Sequence, residues 1–127
     1  MNVLIVCLLL AMVLPYLAKA PVAWAMAKDG GYDNAHPRAQ QARLTGFGAR
    51  AVAAHQNAFE SLLLFAPAVL LVIATGSINQ VAEIAAVVHI LARVSYQVFY
   101  LTNWDKLRST SWFVAIIATF WLFTQAI

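Results

Sequence analysis

Two polar stretches lie among apolar residues, and their side chains could bind a charged ligand. The first, AAHQNAFE, contains Asn57 and Glu60 and directly precedes the apolar run SLLLFAPAVLLVIATG. The second, ARVSYQVFY, contains Arg93, Tyr96 and Tyr100. A carboxylate with an amide one helical turn away supplies acceptors and donors, and a guanidinium can pair with the carboxylate. These residue types favour either the binding of a zwitterionic ligand or contacts that hold two helices together.

Helical geometry places most of the first group on one face. At about 100° per residue, Arg50, Asn57 and Glu60 lie within roughly 80° of one another, whereas His55 points away from them. We therefore interpret Arg50, Asn57 and Glu60 as candidate binding residues and His55 as a structural residue.

The second group also forms a stripe. The same arithmetic puts His89, Arg93, Tyr96 and Tyr100 within an arc of about 60°, with Gln97 at its margin. The tyrosines could line a binding site, or they could pack as aromatic side chains with their hydroxyls near the membrane surface.

Glu60 and Arg93 are expected at a similar depth if the two helices are antiparallel. Each lies about ten residues from the end of its helix that faces the same side. An ionised group at mid-membrane costs about 2.5 to 3.5 kcal/mol on insertion scales, so both side chains should face protein. We predict an ion pair between them, within one chain or between neighbouring chains.

The segment NWDKLRSTSW offers a third group of polar residues. It contains Arg108 and Ser109 in what we predict to be a short loop that starts the last helix. Free backbone amides at a helix start, beside a guanidinium and hydroxyls, can hold an anion or lower the pKa of a thiol. The alternative is an ordinary capped helix end with a basic residue.

Long apolar segments must position these groups. The 127 residues are 63% hydrophobic and only 10% charged, which indicates a membrane protein. We predict an all-α bundle of four transmembrane helices at about 2–27, 49–76, 80–102 and 110–127, forming a single domain over 1–127. The first segment could be a secretory signal, but it lacks a positive amino-terminal region, and we expect a retained helix.

The basic residues predict the orientation of the helices. All eight fall in or near the loops between helices 1 and 2 or between helices 3 and 4. The positive-inside rule then places both loops in the cytoplasm and both termini outside. The same charges could attract anionic lipid headgroups. The basic residues are Lys19, Lys28, Arg38, Arg43, Arg50, Arg93, Lys106 and Arg108.

These motifs together resemble the MAPEG family, the membrane-associated proteins of eicosanoid and glutathione metabolism. RAVAAHQNAFE is similar to a helix 2 signature in which A-H-x-N-x-x-E follows an arginine. ARVSYQVFYL followed by KLRST is similar to the helix 3 pattern R-V-x-x-x-x-x-Y and the downstream Arg-Ser of glutathione-using members. The resemblance is closest to the bacterial branch, which implies a bacterial inner membrane.

The resemblance implies a homotrimer that binds glutathione between neighbouring chains near the cytoplasmic face. Asn57 and Glu60 would contact the polar ends of the tripeptide, with Arg93 supporting Glu60 or the ligand. Tyr100 would line the same pocket, and Tyr96 stands where some members have histidine.

The resemblance also implies that Arg108 or Ser109 stabilises the glutathione thiolate. Well-characterised glutathione-using members have arginine directly before Ala-His, and that position is Ala53 here. Arg50, one turn earlier, could occupy part of the same volume.

Three functions follow as hypotheses. The first is a glutathione-dependent transferase or peroxidase, with glutathione as co-substrate, acting on lipophilic electrophiles in the bilayer. The second is a noncatalytic scaffold or lipid-binding protein, and the third is a small proton-coupled transporter, which the absence of an acidic residue from helix 1 disfavours. We expect no metal, because the sequence has no metal-ligand spacing, and we expect no nucleic-acid partner.

Overall fold

The computed structural model describes residues 2–127, and these form five helices. Four of them are long and apolar enough to cross a membrane, which confirms the predicted all-α fold with four spans. The fifth is a short helix that precedes the second span. The helices are α1 Val3–Lys28, α2 Pro37–Arg43, α3 Phe47–Ala74, α4 Gln80–Leu101 and α5 Asp105–Thr124.

Local sequence explains where several helices start. The side chains of Asn2 and Asn79 accept hydrogen bonds from the backbone amides of the first turns of α1 and α4. Pro37 opens α2, where its missing N–H costs nothing. The chain breaks between α2 and α3 at residues 44–46, and Gly46 there has φ 56°, which glycine adopts readily.

The spanning helices pack closely through small residues. α1 lies against α3 and α4, and α5 lies against α4 and α3. Many buried residues are alanines, which allow helix backbones to approach within the membrane. At Gly48, an added Cβ would lie only 3.2 Å from the Ala25 Cβ, so α1 and α3 are in near contact there. This packing holds α3, α4 and α5 side by side around the polar residues.

The connection between α1 and α3 is folded onto the bundle by Gln40. This fully buried side chain donates to the backbone oxygens of Met26 and Gly31 and accepts from the Asp33 amide. Arg43 pairs with Asp29 at 3.3 Å in the same region. These contacts hold the α1–α3 connection against the end of the bundle that also carries the α4–α5 turn.

Candidate functional site

Asn57 links the two charged residues that the sequence predicts to meet. Arg93 Nη2 donates to Asn57 Oδ1 at 2.7 Å and to the Asn57 backbone oxygen at 3.2 Å. Asn57 Nδ2 in turn donates to Glu60 Oε2 at 3.1 Å. The predicted direct ion pair within one chain is therefore wrong, because the amide occupies the space between guanidinium and carboxylate. Glu60 remains exposed and available to another partner.

Four side chains form a row along α4 and onto α5, in the order Arg93, Tyr96, Tyr100 and Arg108. The Arg93 guanidinium lies 4.2 Å from the Tyr96 ring centre, and the Arg108 guanidinium lies 4.6 Å from the Tyr100 ring centre. The two tyrosine rings meet edge to face, with centres 5.5 Å apart. Cation–π contacts of this kind hold guanidinium groups without neutralising them. Both tyrosines of the predicted stripe thus lie between the two arginines.

Tyr96, Tyr100 and Arg108 border a groove between α3, α4 and α5, called here the aromatic groove. Its volume is about 260 Å³, and it is open on one side. The groove brings together Asn57, Tyr96, Tyr100, Arg108 and Ser109, all of which the sequence singled out. Its full lining is Asn57, Tyr96, Tyr100, Arg108, Ser109, Trp112 and Phe113.

Arg108 and Ser109 line the aromatic groove with their side chains and do not offer free backbone amides to it. α5 begins at Asp105, five residues before the predicted start near 110. The Arg108 amide donates to the Trp104 oxygen at 2.9 Å, so it lies within the helix and is already bonded. The prediction of a loop with free amides at these two residues is wrong, while the guanidinium and the hydroxyl face the groove.

The charge around the groove is positive. Arg93 and Arg108 contribute two guanidinium groups, and Glu60 is the one neighbouring carboxylate. Within residues 2–127, ion pairs under 4 Å occur only in the α1–α3 connection, so neither arginine is paired with an acid there. An anionic ligand group would find uncompensated positive charge at this site.

The candidates Glu60 and Arg93 line a neighbouring cavity, and Arg50 and His55 lie elsewhere. Arg50 does not line the aromatic groove, and its Nε is buried without a partner in the described chain. His55 Nδ1 bonds to the Pro15 backbone oxygen at 2.8 Å, which confirms that His55 points away toward α1. Ala53 is half-buried and adds no charge.

Sequence reasoning missed Trp112 and Phe113, which complete the aromatic groove. Both follow Arg108 and Ser109 by about one helical turn on α5, so they share a face with them. A prediction that started this helix at Asp105 would have identified Trp112 and Phe113 from their spacing.

Fold and site together define an integral membrane protein of four spanning helices with a polar site inside the bundle. The model of the MAPEG family matches residues 3–127, so the chain belongs to the MAPEG family. This is a family of membrane proteins of the glutathione-related transferase and peroxidase type, whose members generally use glutathione. Searches of curated proteins and of solved structures gave no match to this chain.

Proposed function

We propose that this protein is a glutathione-dependent transferase or peroxidase that acts on lipophilic electrophiles at the aromatic groove. The observation that carries the proposal is the joint presence of the Arg108 guanidinium and the Ser109 hydroxyl in a groove that also contains Asn57. Glutathione has two carboxylates, an amine, two amides and a thiol. Asn57 and the exposed Glu60 offer partners for its amide and ammonium groups, and the arginines offer partners for its anionic groups.

The chemical task of the groove is to ionise the thiol. A free thiol has a pKa near 8.5, so only a small fraction is thiolate at neutral pH. The Arg108 cation and a hydrogen bond from the Ser109 hydroxyl stabilise the thiolate, and the thiol proton passes to solvent. The sulfur then forms a bond to the electrophilic carbon, and the leaving group departs with the bonding electron pair.

Exposed apolar side chains around the groove suit a second substrate that arrives from the bilayer. Phe113 is 57% exposed at the rim of the groove. Membrane lipids cover such surfaces in a spanning protein, and a lipophilic electrophile dissolved in the lipid approaches along the same route. We place the basic loops in the cytoplasm and both termini outside, in a bacterial inner membrane, on the strength of the charge distribution.

A homotrimer completes the proposal. Members of the family are generally trimeric, and we propose that a neighbouring chain closes the open side of the aromatic groove. We expect native mass spectrometry of the detergent-solubilised protein to give the mass of three chains. A monomer at concentrations where glutathione binds would contradict the intersubunit site.

Calorimetric titration with glutathione tests the binding step. We expect saturable binding with one glutathione per chain, and similar binding of S-methylglutathione, which keeps every polar group except the thiol. Glu60→Gln should weaken the binding of both ligands by about 10- to 150-fold if the carboxylate pairs with the ammonium group, since hydrogen bonds to charged groups contribute about 1.5 to 3 kcal/mol. Glu83→Gln, on α4 away from the groove, is the matched control and should bind normally. Absence of any heat with either ligand would overturn the proposal.

A noncatalytic scaffold or lipid-binding protein is the second candidate. Ala53 and the distance of Arg50 from the groove favour it, because α3 then supplies no guanidinium to a ligand carboxylate. In that case Asn57→Ala should change assembly or thermal stability, while calorimetry detects no glutathione binding to the unmodified protein.

A further inference from the structure

A second cavity lies beyond the aromatic groove, called here the deep cavity. It has a volume of about 120 Å³ between α3, α4 and α5, and it shares Asn57 and Trp112 with the groove. His89 and Thr119 form its far wall. His89 lies about 18 Å along α4 from Leu101 at 1.5 Å per residue, which is near the middle of a bilayer core about 30 Å thick.

The His89 ring is held in one orientation. Its Nδ1 lies 3.1 Å from the Ala115 backbone oxygen and 2.9 Å from Thr119 Oγ1. The Thr119 hydroxyl lies 2.9 Å from the Ala115 oxygen, so it can donate either to that oxygen or to Nδ1. Both neutral tautomers fit these contacts, and Nε2 carries a lone pair in one and a hydrogen in the other. Phe65 stacks on the ring, with centres 3.9 Å apart and planes within 3°.

The deep cavity therefore contains a polar ring nitrogen without a hydrogen-bond partner in the described chain. His89 is 2% exposed, and its Nε2 has no hydrogen-bond partner among residues 2–127. A buried polar atom left unpaired is costly, and such atoms in native proteins are generally bonded to protein, water or ligand.

A donor without a partner lines the same cavity. The Arg93 guanidinium is also 2% exposed, and only its Nη2 is bonded, to Asn57. Its Nε is buried and has no partner in the described chain. Because Arg93 Nε has almost no accessible surface, the unbonded polar atom that a group in the cavity can reach is His89 Nε2.

The rest of the wall contains Glu60 and Ser61 and an apolar side that leads outward. Leu64, Ile116 and Trp112 line the cavity, and Leu64 is 49% exposed at the bundle surface. An apolar chain can lie along these side chains while a polar group on it enters the cavity.

We propose that the deep cavity binds the hydroxyl group of a lipophilic alcohol. The hydroxyl bonds to His89 Nε2, donating to its lone pair or accepting from its N–H according to the tautomer, with the hydrocarbon chain along Leu64 and Ile116. The cavity adjoins the groove at Asn57 and Trp112, so a bound alcohol that also carries an electrophilic carbon lies beside the thiol. That second role rests on the proposed function, whereas alcohol binding does not.

Trp112 provides a direct reporter of occupancy. Trp24, Trp104 and Trp121 are replaced by phenylalanine, which leaves Trp112 as the only tryptophan. The detergent-solubilised protein is titrated, without glutathione, with the methyl ester of dibrominated ricinoleic acid, which carries a hydroxyl. The methyl ester of dibrominated oleic acid, which lacks the hydroxyl, is titrated in parallel. Bromine quenches tryptophan fluorescence on contact, so quenching reports a chain beside Trp112.

The hydroxylated ester should reach half-maximal quenching at a concentration about five- to tenfold lower, the value of one neutral hydrogen bond. In His89→Phe, which keeps the aromatic stack on Phe65 but removes Nε2, the two esters should become equal. His55→Phe is the matched control, because His55 also bonds a backbone oxygen but lies outside the cavity, and it should retain the preference.

Equal quenching by the two esters in the His89 protein would overturn the proposal, as would a preference that survives His89→Phe. If His89→Phe does not fold, the comparison in the His89 protein still decides the matter, and Leu64→Phe should raise both half-maximal concentrations by narrowing the mouth. Because glutathione is absent, loss of the proposed enzymatic activity leaves this test unaffected, and failure here leaves glutathione binding untouched.

Discussion

Replacing Arg108 with alanine should abolish the ionised form of bound glutathione at neutral pH and lower turnover by about 10²- to 10³-fold. The guanidinium faces the aromatic groove against the Tyr100 ring, and no acid among residues 2–127 pairs with it. Removal of one donor that stabilises a developing anion costs about that factor in other enzymes. The measurement is the ultraviolet absorption of the thiolate, together with the initial rate with a lipophilic electrophile.

Lys106→Ala is the matched control for this prediction. Lys106 is a cation two positions earlier on α5, exposed and outside the aromatic groove, so its loss changes the net charge but not the site. It should retain the thiolate signal. Arg108→Lys should fall between the two, because an ammonium keeps the charge but not the planar donors of a guanidinium. A normal thiolate signal in Arg108→Ala would exclude Arg108 from thiol activation.

Asn57→Leu should give the largest loss of stability among single changes at the site, about 1.5 to 3 kcal/mol. It removes the 2.7 Å hydrogen bond that Arg93 donates to Asn57 Oδ1 and leaves a buried guanidinium with one backbone partner. Hydrogen bonds to charged groups contribute about this much, and a buried charge without partners is costly. Equilibrium unfolding in detergent mixtures measures the difference.

Gln97→Leu serves as the comparison for Asn57→Leu. Gln97 is a buried neutral amide that donates to the Ala54 oxygen at 2.9 Å between the same two helices. Hydrogen bonds of this kind between membrane helices average about 0.6 kcal/mol, so the loss should be smaller. Asn57→Asp, which keeps an acceptor for Arg93, should also be milder. If Asn57→Leu and Gln97→Leu are equally destabilising, Asn57 does not stabilise the Arg93 charge.

The four spans could be predicted because a bilayer leaves few alternatives. Backbone polar groups in hydrocarbon must bond within their own segment, so an apolar stretch of sufficient length forms a helix. Helical spacing also placed Asn57, Glu60 and Arg93 on facing stripes, since that depends only on the angle per residue. The break before α3 was less clear in the sequence, because it depends on the positive φ of Gly46.

Contacts between stripes could not be predicted from spacing. The angle per residue brings Glu60 and Arg93 to the same side, but it does not determine that the shorter Asn57 side chain comes between them. The position of Arg108 depends on the turn between α4 and α5, where Asn103 adopts φ 63°. That turn and the early start of α5 bring the guanidinium over the Tyr100 ring, and neither follows from composition or hydropathy.

The pH dependence of thiolate absorption tests the central claim most directly. Glutathione is added at saturating concentration to the purified protein, and the absorption of the complex is followed as the pH is lowered through neutrality. We predict that the bound thiol stays ionised well below pH 8.5, the ordinary pKa of a thiol, because the groove stabilises the anion. An absorption midpoint equal to that of free glutathione, with binding confirmed by calorimetry in the same sample, would contradict thiol activation by this protein.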